Sequence, residues 1–405
     1  MRLASTILIA LGACLFGTGA NAQEPPPLRI GVLEDMSGGY ADATGRGSVV
    51  AAELAAADFG PVLGRKVEIV SADTHSKPDL AVSIAKRWID VDGVEMITGT
   101  GSSAVGMALR SVLPPRGKID IVTSGGSSDL TGKACSPTSF HWVFDTYALA
   151  KTIGAASVKS GADTFYTVAT DNAFGSAMSR DGARFALEAG GKSLGEVRTP
   201  INSADYSSFI LQAQASRAKA ILLALAGQDL VTFIKQAEEF GVTERGQTLA
   251  SFVTYVTDVH ALGLKPTQGL LLAEAFYWDM NDDTRAFARR FYAQQKRMPN
   301  SVQAGAYSAV KHYLTAVRAA GVVDGKAVAD KMREIPVNDF MTRNGVVRAD
   351  GRLLRDFYLF QVKKPSDSKD EWDLLKPVQK LSGEEAFRPL SESECSFVKS
   401  AQTGK

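Results

Sequence analysis

Histidine is scarce, cysteine scarcer, and neither sign of charge prevails: 405 residues hold 4 His, 3 Cys, 45 Lys plus Arg and 44 Asp plus Glu. Each shortage excludes a class of function. His75, His141, His260 and His312 are scattered without ligand spacing, and the cysteines make no zinc pattern, so no metal centre is expected. A net charge near zero supplies no field to recruit nucleic acid or an acidic membrane face. There is no Gly-Lys-Ser or Gly-Lys-Thr phosphate loop and no Gly-x-Ser-x-Gly elbow for a nucleophilic serine. Gly99-Thr100-Gly101 follows a strand, but the third glycine comes at Gly106, outside the dinucleotide spacing. Neither a cofactor nor an enzymatic reaction is therefore expected. Runs long enough to span a bilayer are missing too, since the longest apolar stretch at the start, Leu3 to Phe16, is too short.

That opening stretch has Arg2, the apolar run, and Ala20 and Ala22 at the spacing of an export cleavage site. Residues 1–22 read as a signal peptide cut after Ala22. A rival reading takes Leu11-Gly12-Ala13-Cys14 as a lipoprotein box, with the chain acylated on Cys14. Once Cys14 is removed, Cys135 and Cys395 form an even pair in a compartment where disulfides persist, and a bridge between them is expected; two buried thiols are the alternative.

What the chain does have is alternation. Leu28 to Met36 reads as a buried strand, Gly47 to Asp58 as a helix, Val67 to Asp73 as a strand, and Pro78 to Asp90 as a helix with proline in its first turn. Two units follow in which an apolar run, Val94 to Thr98 and then Ile119 to Thr123, ends in a loop of Gly, Ser and Thr. A second series of strands and helices runs from Thr164 to Val253. A strand at Gly269 to Ala275 then leads into helices at Asp283 to Gln295, Ser301 to Ala320 and Lys326 to Arg333, which need a sheet to cover. The first sheet supplies it, so the chain is expected to cross back near Phe276. Gly345 to Arg348 and Arg355 to Val362, joined through Asp350-Gly351, read as a closing hairpin.

The expected fold class is α/β: two doubly wound parallel-sheet lobes joined by three hinge crossings. Lobe I takes residues 28–144 plus 276–341, lobe II takes 145–275 plus 342–390, and 391–405 is a C-terminal tail. Open sheets of this kind bind ligands in the crevice outside the carboxyl ends of their strands. Two adjacent strands ending in hydroxyl-rich loops point at one such crevice.

The segments IGVLEDMSGGYADATGRGSVVAAELA, GTGSSAV, IVTSGGSSDLTG, ATDNAFGSAM and DYSSFILQAQASRAKAILL, in that order, carry a family likeness. From Leu28 to about Val378 the chain resembles ABC-transporter solute-binding proteins of the leucine/isoleucine/valine-binding type, with a type I periplasmic-binding fold. The resemblance implies a periplasmic monomer that clamps a small carboxylate between its lobes and docks on an inner-membrane ABC permease with its ATPase. The same fold also serves ligand-sensing proteins that signal to a membrane receptor. Carried over residue by residue, Ser103 matches the hydroxyl that holds the carboxylate, with Ser102 beside it, and Gly125 and Ser127 match contacts of the next loop. Tyr40, Tyr147, Phe174 and Tyr255 are expected to line the cleft, with Asp171 near them. Where amino-acid binders of the family place an acid for the ligand's ammonium, Ser251-Phe252-Val253-Thr254-Tyr255 has none. That departure leans towards an organic acid, aromatic or keto, over an amino acid; Asp171 and Asp229 are the fallback partners for an ammonium.

Overall fold

The computed structural model describes residues 24–159 and 161–402; the expected signal peptide, its cleavage site and Cys14 lie outside the described residues. The first sheet contains β1 (Leu28–Glu34), β2 (Val67–Asp73), β3 (Val94–Gly99), β4 (Ile119–Val122) and β5 (Ser139–His141). Its order is β2-β1-β3-β4-β5, parallel throughout. β3 and β4 are mostly apolar and almost wholly buried because helices cover both faces, with Asp120 of β4 buried against Arg110. The second sheet contains β6 (Thr164–Thr170), β7 (Lys192–Thr199), β8 (Ala220–Ala224) and β9 (Thr248–Ser251). Its order is β7-β6-β8-β9, again parallel.

After β10 (Leu271–Glu274) the chain returns to the first lobe. There helix Ser301–Ala320 packs on helix Gly45–Phe59. Its start is fixed by a reciprocal cap: Asn300 Oδ1 accepts from Gln303 N–H at 3.0 Å, and Asn300 N–H donates to Gln303 Oε1 at 3.1 Å. Gly47 lets the two helices close up, since a Cβ there would collide with the Gln303 side chain.

The expected closing hairpin is corrected. Its strands are β11 (Val346–Val347) and β12 (Leu353–Leu354), whereas β13 (Phe357–Val362) pairs antiparallel with β10 and with β14 (Leu375–Leu381). The cause is Gly351. At φ +83° it lies against Ser139 O so closely that a Cβ would collide, and Arg352 then bridges His141 at the edge of the first sheet. Residues 345–354, expected in lobe II, thus stay against the first sheet, and the third crossing falls between Leu354 and Phe357. β14 escaped the sequence reading because LKPVQKL is polar, mostly exposed and interrupted by Pro377, as an edge strand can be.

Beyond β14 the tail leaves the second lobe through helix Gly383–Ala386, sets Arg388 against Glu394 at 3.1 Å, and reaches Cys395, which is bridged to Cys135. A fourth, covalent connection thereby joins the tail to the first lobe. Reduction is expected to lower stability by about 2–5 kcal/mol. Thiol titration of the exported, unreduced protein under denaturant should find no free thiol; two reactive thiols per chain would refute the bridge.

Candidate ligand-binding cleft

The carboxyl ends of β1, β3 and β4 face those of β6, β8 and β9 across a cleft lined from both sides. Tyr40, Ser76, Gly101, Ser102, Ser103, Ser124 and Gly126 form one wall. Asn172, Phe174, Ile201, Gly227, Val253 and Tyr255 form the other, and Phe144 closes the hinge end. Among the described residues that line it there is no Asp, Glu, Lys, Arg or His.

The first wall is held in an unusual backbone. Gly99, Thr100 and Gly101 have φ of +95°, +89° and +66°, and for the β-branched Thr100 that is a strained position. Glu34, at the end of β1, holds this loop from behind. Its Oε2 accepts from Gly101 N–H at 2.7 Å and from Ser124 Oγ at 3.1 Å. Burial pushes its carboxyl up to about 8, against the opposing hydrogen bonds. Ser102 Oγ caps helix Ser103–Leu109 by accepting from Val105 N–H at 3.3 Å, and Ser103 Oγ accepts from Ser127 N–H at 3.0 Å. A hydroxyl that accepts still has its own proton to donate.

On the second wall, Asn172 caps helix Ala173–Glu188: its Oδ1 accepts from Gly175 N–H at 2.7 Å. The N–H groups of Ala173 and Phe174 therefore open a sixteen-residue helix at the cleft, where the helix dipole favours an anion. Asn172 Nδ2 also donates across the cleft to Tyr40 Oη at 3.2 Å. Burial pushes Tyr40 up to about 12, so its hydroxyl keeps a proton at neutral pH. The lobes meet again where Gln228 N–H donates to Gly39 O at 2.9 Å. This is a closed arrangement.

The structure gathers Tyr40, Ser102, Ser103, Phe174 and Tyr255 at the cleft and places four other expected residues elsewhere. Ser127 is fully buried, and its hydroxyl accepts from Asp129 N–H at 3.3 Å; Ser124 is the serine of that loop on the wall. Gly125 packs under Ser102 and Ser103, and its neighbour Gly126 faces Phe144 and Phe174. Tyr147 lies behind the hinge, edge-on to Phe185 with centroids 4.9 Å apart. Asp171 is exposed, its backbone N–H tied to Thr199 O at 2.7 Å. Asp229 is buried off the wall and accepts from Asn202 N–H at 3.2 Å. Residues that the sequence reading missed are Gly101, Ser124, Asn172, Gly227 and Phe144. Asn172 had a usable signal, an N-cap residue directly before a helical run.

Residues 27–369 match the periplasmic binding protein family. The chain belongs to that family. A periplasmic binding protein of Burkholderia mallei is 42% identical, covers 91% of this chain and 98% of its own, and superposes with a TM-score of 0.89. A branched-chain amino acid ABC transporter periplasmic ligand-binding protein of Burkholderia xenovorans is 39% identical over 92% of this chain and 100% of its own, with a TM-score of 0.81. A solute-binding protein of an R. palustris ABC transporter, solved with benzoate, shares the fold at 21% identity, covering 91% of this chain and 99% of its own, with a TM-score of 0.80.

Closure depends on a glycine. Gly227 has φ +59°, and a Cβ there would fall 2.5 Å from Gly39 O. Gly227→Val is expected to hold the lobes apart and weaken ligand binding at least tenfold, about 1.4 kcal/mol. Small-angle scattering checks it: the variant should stay expanded at ligand concentrations that compact the wild type, and equal compaction would rule the contact out as a gate.

Proposed function

We propose that this protein is the periplasmic solute-binding component of an ABC importer, and that its ligand is a small carboxylate without an α-amino group, an aryl or keto acid. The observation that carries the ligand class is the cleft wall: hydroxyls, helix-opening N–H groups and aromatic rings, with no charged side chain among the described lining residues. A carboxylate that accepts from such donors makes charge-assisted bonds, each worth roughly 1.5–3 kcal/mol. An ammonium brought into the same wall meets no acid and loses its water shell, a cost that cancels much of that gain. Tyr40, Phe144, Phe174 and Tyr255 supply flat apolar surface suited to a planar ligand. The benzoate bound by the R. palustris protein is a ligand of this chemistry held by the same fold.

In this role the chain carries out no bond-making step. It binds as a monomer in the periplasm, closes, and presents the closed form to an inner-membrane permease whose ATPase drives uptake. Closure supplies the signal: donors from both lobes reach the ligand together only when Gly39 meets Gln228 and Tyr40 meets Asn172.

A thermal-shift screen tests the ligand class. A ligand present at 100 times its dissociation constant adds about 2.7 kcal/mol of stability. Benzoate or a branched keto acid is expected to raise the melting temperature and leucine to leave it unchanged. A rise with leucine, isoleucine or valine, and none with any des-amino acid, would overturn the reading.

A further inference from the structure

Glu34 is a buried acid that the binding cleft does not use directly. It sits at the carboxyl end of β1, with no exposed surface, behind the wall that carries Gly101, Ser102 and Ser124. One carboxyl oxygen, Oε2, sits where two loops meet: it accepts from Gly101 N–H of the β3 loop at 2.7 Å and lies 3.1 Å from Ser124 Oγ of the β4 loop, a hydroxyl that also reaches Gly99 O at 2.8 Å and accepts from Gly101 N–H at 2.9 Å. The other, Oε1, is buried without a hydrogen-bond partner and lies over Gly99, where a Cβ would come within 2.7 Å of it. The left-handed run Gly99 to Gly101 thus has its shape because a carboxyl group fills the space beneath it. The groups that face Glu34 are Asp35, just past the end of its strand, the hydroxyls of Ser48 and Ser124, and Tyr255 from the opposite wall. Asp35 is engaged elsewhere: it accepts from Gly38 N–H at 2.8 Å, Tyr40 N–H at 3.1 Å and Ser76 Oγ at 3.2 Å.

We propose that Glu34 is a positioning residue of the cleft that sets the two ligand-facing loops as a neutral acid, so that its ionised form and an anionic ligand exclude each other. The inference rests on the carboxylate part of the proposed function and is indifferent to whether an amino group is also present. Its physical basis is Coulombic. A ligand carboxylate against Gly101 and Ser124 would place a second negative charge one residue away from Glu34, in a site whose walls exclude water. Ligand and proton are then linked: the anion binds the neutral form better, so binding takes up a proton wherever free Glu34 is ionised. Because burial holds Glu34 near 8, well above its ordinary 4.5, the linkage is silent below neutrality and develops in mildly alkaline solution.

Calorimetric titration of the full exported protein at pH 6 and pH 9, with benzoate and with leucine as probes, tests this in wild type, Glu34→Gln and Glu34→Leu. Wild-type affinity for whichever probe binds should fall about tenfold at pH 9, with close to one proton taken up per ligand when two buffers of different ionisation enthalpy are compared. Glu34→Gln, which keeps an acceptor but has no proton to lose, should bind equally at both pH values to within twofold and take up no proton. Glu34→Leu, which removes the acceptor between the two loops and leaves Gly101 N–H with Ser124 Oγ alone, should bind more weakly than Glu34→Gln at either pH. A flat wild-type profile, or a slope retained in Glu34→Gln, overturns the inference. Binding of leucine alone with the slope present overturns the des-amino reading and leaves Glu34 in this role; where neither probe binds, the melting curves decide the role of Glu34 by themselves.

Melting curves give a second readout independent of the probes. An acid whose pKa is raised on folding costs the fold nothing below 4.5 and progressively more up to about 8. Glu34→Gln should therefore gain on wild type in melting temperature across that window and not below it. A constant difference at every pH would mean that Glu34 is not held neutral in the folded chain.

Discussion

A guanidinium without exposed surface, that of Arg352, and the Asp145 carboxylate 3.5 Å from it hold the junction between the two lobes. Arg352 lies just before the third crossing, yet its Nη1 donates to Phe144 O in the first, at 3.1 Å, and Nε donates to Leu353 O beside it, at 3.1 Å. Phe387, from the tail, covers its face at 4.1 Å. Asp145 in turn accepts from Ala148 N–H at 2.8 Å, which starts helix Thr146–Lys159 in the second lobe. One ion pair therefore collects the first crossing, the segment that leads into the third and the tail. Burial lowers Arg352 to about 10 while Asp145 opposes the shift, so the guanidinium stays charged at neutral pH. Removing one partner of such a pair leaves the other stranded, at a cost of about 3–5 kcal/mol. The contacts at the cleft mouth are of another order: backbone or neutral side-chain hydrogen bonds, each worth about 1 kcal/mol net. A hinge fixed by buried charge and a mouth closed by single hydrogen bonds form the combination a clamp requires.

Most of the fold was legible because parallel sheets announce themselves. Strands covered on both faces must be apolar throughout, and the helices between them must be amphipathic, so alternation alone fixes the class. Cysteine arithmetic gave the bridge for an equally simple reason, the export of an even pair. Legibility ended where tertiary contact outranks pattern. Nothing local says that Gly351 will be pressed against Ser139, and that contact decides which strand pairs with Val346–Val347. A polar edge strand such as Leu375–Leu381 has no buried face to leave a mark in the sequence.

The same limit explains the site. Strand ends are readable, so the loops bearing Ser102 and Ser103 and the aromatic positions Tyr40, Phe174 and Tyr255 could be placed at the crevice. In Ser124-Gly125-Gly126-Ser127-Ser128 every residue is of the same kind, and only the backbone path decides which one turns to the ligand. The path puts Ser124 and Gly126 on the wall and turns Ser127 inward to cap the short turn that follows. Asp171 and Asn172 show the choice at its narrowest: the cap went to Asn172, whose amide can accept from Gly175 and donate to Tyr40 at once, which a carboxylate cannot do.

A cleft proposed to take an anion without a fixed cation has to keep negative charge out of its surroundings. Glu34, Asp258 and Glu274 stand just behind the walls, and burial raises all three, Asp258 to about 7. Glu34 and Glu274, held neutral, contribute shape and hydrogen bonds and add little repulsion, whereas Asp258, which accepts from Tyr255 N–H at 2.8 Å, is only partly neutralised at pH 7. A buried arginine would hold a carboxylate harder, but it would do so from one lobe whether the clamp were open or shut. Hydroxyls and helix-opening N–H groups are individually weaker, and here they are divided between the lobes, Ser103 on one and Ala173 and Phe174 on the other. Their sum exists only in the closed form. In the proposed role affinity is thereby tied to closure, and release requires no more than the opening of the mouth.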